Sequence, residues 1–130
     1  MRVSLTLSIA VVCILLVSLV SAQDATKVDP KHYTVMSENA EVRVLKVHYG
    51  PHEKSVMHSH PDAVAVFLTD GKTQFTSADG KKDERSWKAG DAMFTPASTH
   101  LPENLTDKPM ELVLVELKGK ANHSAKMEKK

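Results

Sequence analysis

The chain has 130 residues, with 17 lysines and arginines against 16 aspartates and glutamates, a formal net charge of +1 and 5% aromatic residues. This balance excludes a strongly basic nucleic-acid-binding surface, and the length allows one domain with its own core. The single cysteine, Cys13, lies in the N-terminal apolar segment, so the rest of the chain has no thiol for a disulfide, a thiolate ligand or a nucleophile.

Residues 1–22 have the pattern of a secretory signal peptide. Arg2 supplies the positive start, an apolar stretch follows, and Ala22 ends a small-residue cleavage site before Gln23. We therefore expect a secreted or periplasmic protein that begins at Gln23 and has no stable membrane anchor after cleavage. The alternative is an uncleaved anchor, because the apolar run approaches the length that spans a bilayer.

The remaining chain divides into an N-terminal segment (residues 23–34), a β-rich stretch and a Lys-rich tail (residues 119–130). The tail has no apolar period and is predicted to be disordered. Short β-rich runs with turn residues between them predict an all-β domain. These runs cover residues 32–37, 41–49, 55–60, 63–68, 73–77, 83–87, 92–96 and 110–118.

Turn residues and apolar parity refine this prediction. The Asp-Gly pairs at residues 70–71 and 79–80 favour hairpin turns. The apolar residues of the strand at 41–49 change from even to odd positions near Val44, which predicts a bulge or sharp bend there. No strand is predicted in residues 97–109.

Three histidines form the most informative pattern in the chain. His58 and His60 stand two apart on a predicted strand, so their side chains point to the same face, about 6–7 Å apart. His100 is the best candidate for a third ligand. Imidazole suits Fe, Mn, Zn, Ni and Cu, and three protein ligands with open positions favour a reactive site over a closed structural one.

The segment "GPHEKSVMHSH" followed by Gly71, and the later "GDAMFTPASTHLPEN", resemble the two motifs of the cupin superfamily. The matching residues are, in order, Gly50, His58, His60, Gly71, Gly90, Pro96, His100 and Asn104. The resemblance covers about residues 35–118. It implies a small single-domain, jelly-roll-like β-barrel with His58, His60 and His100 as metal ligands on its inner wall.

The chain departs from the family pattern at one position. The family has a ligand glutamate where this chain has Val64 and Ala65, and the nearest carboxylate is Asp62, directly after Pro61. We therefore expect a three-histidine site, similar to that of thiol dioxygenases and some diketone-cleaving cupins, with Asp62 as an alternative fourth ligand. Neutral ligands leave the ion its full charge, which favours an anionic or chelating small-molecule ligand.

Three functions follow from this resemblance. The first is a dioxygenase-like or isomerase-like metalloenzyme, and the second is a non-catalytic cupin that binds a metal or small ligand. The third is a metal-free domain whose histidines are hydrogen-bonded fillers of a polar interior. The resemblance also implies a homodimer joined through an edge strand at residues 33–37, with a monomer as the alternative. The other four histidines, His32, His48, His52 and His123, are interpreted as surface or loop residues.

Overall fold

The computed structural model describes residues 23–119 of the chain. The predicted signal peptide at residues 1–22, which includes Cys13, and the residues from 120 onward lie outside the described residues. Signal cleavage, export and tail disorder therefore stay predictions. Within residues 23–119, no helix combines the length and apolar character needed to cross a membrane.

The described residues form one helical turn and nine strands, which confirms the all-β class. The elements are α1 (Ala25–Val28), β1 (Tyr33–Glu38), β2 (Val42–Tyr49), β3 (His58–His60), β4 (Ala63–Phe67), β5 (Gly71–Ser77), β6 (Lys82–Trp87), β7 (Ala92–Thr95), β8 (Ser98–Asn104) and β9 (Met110–Leu117). The helix begins after Asp24, whose carboxylate accepts a hydrogen bond from the Thr26 backbone N–H at 2.8 Å.

The strands lie in two antiparallel sheets. The larger has the order β1-β2-β9-β4-β7 and the smaller the order β3-β8-β5-β6. In the described part of the chain no strand ladder joins the two sheets, so they are not closed into a continuous barrel. The predicted barrel is instead a pair of sheets that enclose a cavity lined from both sides.

The core lies between the sheets because the strands of the larger sheet bury alternate residues. On β9, Met110, Leu112 and Leu114 are buried, and β2 contributes Leu45 and Val47. Side chains alternate between faces along a strand, so one face of each strand supplies the core. Strand β1 is an edge strand, as expected for residues 33–37, and the homodimer stays a prediction.

Strand β8, which carries His100, was not predicted from the sequence. The expectation that residues 97–109 contain no strand is wrong, because β8 pairs with both β3 and β5. Pro102 concealed this strand, since proline has no backbone N–H and counts against an interior strand. Its carbonyl oxygen still accepts a hydrogen bond from the Ser55 N–H at 2.9 Å.

Only one of the two Asp-Gly turns makes a hairpin. Gly80, at φ +86°, lies between the paired strands β5 and β6. The turn at residues 70–71 joins β4 to β5, which belong to different sheets, so the hairpin prediction is wrong there. The predicted irregularity near Val44 lies on the facing strand, because the β1–β2 register shifts between Val35 and Ser37.

Close packing, and not backbone conformation, requires a glycine at position 71. Gly71 does not have a positive φ, so any residue could adopt its backbone conformation. It pairs in register with Trp87, and a Cβ at this position would lie 2.4 Å from Trp87 Nε1 and 3.0 Å from Met110 Sδ. The Trp87 ring stacks on Phe67 at 4.2 Å and is buried, so it has little room to move.

We therefore expect Gly71→Ala to lower the free energy of unfolding by about 1–3 kcal/mol, the usual cost of overpacking. Denaturant unfolding followed by circular dichroism measures this change. Lys72→Ala is the matched control on the same strand, because Lys72 is exposed and changes of that kind stay within about 0.5 kcal/mol. Equal stability of the two variants would contradict the packing argument.

Candidate metal centre

The register between β3 and β8 brings the three predicted histidines together. His58 pairs directly with His100, and His60 lies on the same face of β3 as His58. The ring centroid of His58 lies 4.8 Å from that of His60 and 5.1 Å from that of His100. The ring centroids of His60 and His100 are 5.5 Å apart. One ligand atom from each ring lies within 4.8 Å of the others. The cluster could therefore hold a metal ion.

The hydrogen bonds of the rings leave nitrogen lone pairs for such an ion. His58 Nδ1 lies 2.8 Å from the Val56 carbonyl oxygen, which can only accept, so Nδ1 carries the proton. His58 Nε2 is buried and has no hydrogen-bond partner. His60 Nδ1 lies 2.7 Å from Glu116 Oε1, so Nε2 is the ring nitrogen of His60 that remains for an ion. An acceptor nitrogen left without a partner in a buried site fits a metal ligand.

Burial keeps His58 and His100 neutral. It lowers the pKa of His58 to about 4, and repulsion from His60 adds to this effect. Burial also lowers the pKa of His100 to about 3, with further repulsion from His58 and His60. Neutral imidazole is the form that binds metal ions, so near pH 7 no proton has to leave these two ligands first.

A chain of charged groups orients His60 from behind. Glu116 is 2% exposed, and its second carboxylate oxygen accepts a hydrogen bond from Arg43 Nε at 2.6 Å. Burial raises the pKa of Glu116, but the hydrogen bonds from His60 and Arg43 outweigh it, so the pKa lies below its ordinary value. Arg43 Nη1 donates in turn to Asp24 at 2.6 Å. The chain of contacts therefore runs from the N-terminal segment to His60.

A second chain from the N-terminal segment reaches His58. The Ser55 hydroxyl donates to Asp29 and lies 3.3 Å from His58 Nδ1. Asp29 also contacts His32 Nδ1 at 2.7 Å, and the other ring nitrogen of His32 lies 3.0 Å from Glu53. His32 lies in the turn before β1, which agrees with its interpretation as a loop residue, but it is 5% exposed and therefore not a surface residue. A buried carboxylate, Asp29, and a partly exposed one, Glu53, are thus bridged by the His32 imidazole behind His58.

The two chains of contacts, one to His60 and one to His58, place residues 23–33 against the site. The Ser59 N–H, between the two histidines of β3, donates to the Gln23 carbonyl at 2.8 Å. Tyr33 packs its ring against His58 at 4.8 Å and against His60 at 5.3 Å. Burial raises the pKa of Tyr33 well above its ordinary value, so its phenol stays protonated. The N-terminal segment is therefore part of the wall that holds the histidine rings.

A cavity of about 480 Å³ opens beside His60 and His100. Its inner walls are mostly apolar and include Phe67, Phe75 and Leu112. The ring of Phe75 lies 5.1 Å from that of His100. The volume is in the range of small-molecule sites, and apolar walls exclude water from whatever occupies it.

The carboxylate of Asp62 is not part of the histidine cluster. Within residues 23–119, the atoms that come together as a ligand group are those of His58, His60 and His100. Asp62 Oδ1 accepts a hydrogen bond from the Ala97 N–H at 2.8 Å, so this side chain holds the segment that leads into β8. The expected three-histidine set therefore agrees with the geometry better than the alternative with Asp62.

Sequence reasoning missed Glu116, although a signal for it was present. Met110, Leu112 and Leu114 point inward from β9, and Glu116 follows with the same parity. A carboxylate in the inward series of an apolar strand requires a buried partner. The partners, Arg43 and His60, lie far away in sequence, and nothing in the local pattern identifies them.

Comparison with known proteins gives the class that this fold and site define. The family model described as a cupin domain matches residues 45–116, and the chain belongs to this family. None of the curated proteins matches the chain.

Several solved structures are similar to this chain. A cupin domain from Bordetella pertussis Tohama I is 25% identical, covers 67% of this chain and 92% of its own, and has a TM-score of 0.63. An uncharacterized conserved protein with a double-stranded β-helix domain from Klebsiella pneumoniae is 24% identical, with coverages of 68% and 77% and a TM-score of 0.54. An RmlC-like cupin from Methanocaldococcus jannaschii is 17% identical, with coverages of 68% and 83% and a TM-score of 0.51. The last two show the fold alone.

We expect Glu116→Gln to weaken metal binding about 10- to 100-fold, because the carboxylate that orients His60 and raises its basicity is lost. Titration of the metal-free protein with Zn²⁺ by calorimetry measures the affinity. Glu111→Gln on the same strand is the matched control, since the Glu111 carboxylate contacts Lys46 and His48 on the surface. A folded Glu116→Gln protein with unchanged affinity would contradict the orienting role.

The low pKa values of His58 and His100 predict a pH-dependent stability of the metal-free protein. In the unfolded chain both take up protons near pH 6.5, whereas in the folded protein they do so only near pH 4 and pH 3. Because the unfolded chain binds more protons, stability falls as the pH decreases from 6.5 towards 4, by up to about 1.4 kcal/mol per pH unit for each histidine.

Unfolding free energies at pH 7, 6 and 5 measure this slope. The double variant His58→Asn, His100→Asn should show a flatter dependence than the parent protein, because the two titrating groups are gone. The exposed His48→Gln variant is the control and should keep the parental slope. Parallel curves for the parent and the double variant would show that these histidines titrate alike in both states.

Proposed function

We propose that this protein is an exported cupin that binds one divalent transition metal ion through His58, His60 and His100. The observation that carries the proposal is the buried, unpartnered Nε2 of His58 within a group of three convergent imidazoles. A buried acceptor without a partner costs about 1–3 kcal/mol, and a bound ion would remove that cost. The leader-like residues 1–22 support export.

The donor set supports the choice of metal. Three neutral imidazoles suit Fe, Mn, Zn, Ni and Cu, whereas Ca²⁺ and Mg²⁺ prefer oxygen ligands. When bound, such an ion acts as a Lewis acid that polarises a coordinated small molecule. The carboxylate of Glu116 neutralises Arg43 and orients His60, so it does not lower the charge within the ligand set.

For the chemistry, we propose a dioxygenase-like or isomerase-like reaction on a small molecule in the cavity. His60 and His100 line this cavity, and Phe67, Phe75 and other apolar lining residues keep water from it. In this low-dielectric space, polarisation of a bound molecule is stronger than in water.

A non-catalytic binding protein is the second candidate, and a specific observation favours it. Asp62, two residues after His60, and Glu116, which contacts His60, both already accept hydrogen bonds from protein groups. In the described part of the chain, no acidic side chain next to the cluster stands ready as a general base. Capture of a ligand without turnover requires none.

Elemental mass spectrometry of protein purified without a histidine tag tests the metal site. We expect near-stoichiometric transition metal in the parent protein and none in the His58→Ala, His60→Ala variant. His48→Ala, His52→Ala removes two exposed histidines and should keep the metal. A parent protein that contains no metal, and takes up none on reconstitution, would contradict the proposal.

The same metal-loaded protein separates the enzyme from the binder. Catechol-like, diketone and thiol compounds, incubated with and without O₂, are assayed for turnover, and ligand binding is measured by calorimetry. Turnover that the His58→Ala, His60→Ala variant lacks supports the dioxygenase-like enzyme. Binding without turnover supports the non-catalytic protein.

A further inference from the structure

The mouth of the cavity carries an excess of positive charge. The residues that line the cavity include Lys81, Lys82 and Arg85 from the β5–β6 hairpin, against one carboxylate, Asp83. Residues 83, 85 and 87 have the same parity on β6, so Asp83 and Arg85 lie on the same face as the buried Trp87. The β5–β6 hairpin therefore places a cation, Arg85, on the inner face of the sheet.

Among these cations, Arg85 contacts a ring that itself contacts one of the three histidines. Its guanidinium carbon lies 5.8 Å from the centroid of the Phe75 ring, and Phe75 contacts His100. Stacking on an aromatic face holds a guanidinium plane in a defined orientation. Arg85 thus lies one aromatic ring away from His100.

Most of the hydrogen-bonding capacity of Arg85 is unused. Nε donates to Asp83 at 2.7 Å, in an ion pair whose side chains are 58% and 60% exposed. A surface pair of this exposure stabilises little. Guanidinium has five N–H donors, so the terminal nitrogens stay available for a second carboxylate in the forked geometry that arginine favours.

The apolar walls of the cavity restrict the rest of the ligand. Phe67, Trp87, Leu112 and Leu114 line the cavity, and of these four side chains only the Trp87 indole N–H can donate a hydrogen bond to the extra oxygens of a phosphate or a sugar. An apolar body of moderate size satisfies these walls. A single carboxylate satisfies Arg85 without leaving further charge in the apolar space.

We propose that Arg85 binds the carboxylate of a small, largely apolar monocarboxylate whose other end reaches the three histidines. This inference rests on the proposed function for its metal end alone, because the Arg85 contact does not need the ion. It defines the substrate or ligand class as aryl or branched alkyl carboxylates.

The chain reports its own ligand binding, because Trp87 is its single tryptophan and lines the cavity. Trp87 fluorescence is titrated with 4-phenylbutanoate and with its neutral analogue 4-phenylbutanamide. Both titrations use metal-free protein and Zn²⁺-loaded protein. We expect the carboxylate to bind at least about tenfold more tightly than the amide, the advantage of a charge-assisted hydrogen bond.

Arg85→Gln should abolish this preference and leave the amide affinity unchanged. Lys72→Gln is the matched control: it removes the same charge from the facing strand, outside the cavity, and should keep the preference. Arg85→Lys should restore part of it, since charge returns without the fork. Arg85 is largely exposed, so the variants should fold, and their unfolding midpoints verify this.

Two results would overturn the proposal: equal affinity for carboxylate and amide in the parent protein, including no binding of either, or an unchanged preference in Arg85→Gln. The metal-free titrations separate this outcome from the fate of the metal site. If the preference appears without metal but Zn²⁺ does not bind, Arg85 keeps its role and the metal proposal fails. If Zn²⁺ binds but the preference is absent, the metal proposal stands and the proposed role of Arg85 fails.

Discussion

The candidate site depends on the register between β3 and β8. In this register His58 faces His100 directly, and the alternation of side chains along β3 adds His60. A slip of one residue would place Thr99 or Leu101 opposite His58 and turn the His100 ring to the other face. Further contacts prevent that slip, because β8 also pairs with β5 along five residues and Ser55 binds the Pro102 carbonyl.

Buried charge is the second constraint, and it connects the site to the start of the described chain. Glu116 and Arg43 lie where an unpaired charge would be strongly destabilising. The two side chains form an ion pair with each other, and Arg43 also donates a hydrogen bond to Asp24. The family match covers residues 45–116, whereas Asp24, Asp29 and Arg43 precede it. Residues before the family match therefore help to orient the histidines, through contacts that begin outside the matched part of the chain.

The parts of the structure that could be predicted from the sequence are those that local patterns determine. Period-two alternation identified most strands, and the His-x-His spacing with the two glycine-containing motifs selected His58, His60 and His100. Strand β8 was missed because Pro102 weighs against a strand locally, while its pairing with two neighbours is decided by tertiary contacts. The same limit applies to the turn at residues 70–71, where an Asp-Gly pair connects two sheets.

Residues that act through others were harder to predict than the ligands themselves. The burial of His32 follows from its contacts with Asp29 and Glu53, which no pattern around position 32 indicates. Glu116 was visible as an inward carboxylate on β9, but its role required knowledge that His60 lies beside it. Spacing within one strand identifies ligands, whereas the groups that orient them come from other elements.

Charge balance connects the two ends of the cavity. The three histidines bring no negative charge, and among the described residues the carboxylate that lines the cavity, Asp83, is already paired with Arg85. A divalent ion at one end and a guanidinium at the other would leave this apolar space with an excess of positive charge, which a low dielectric makes costly. A ligand with a carboxylate at one end and an electron-rich donor at the other would reduce that cost at both places. The missing family glutamate and the basic mouth therefore both support the proposed preference for anionic ligands.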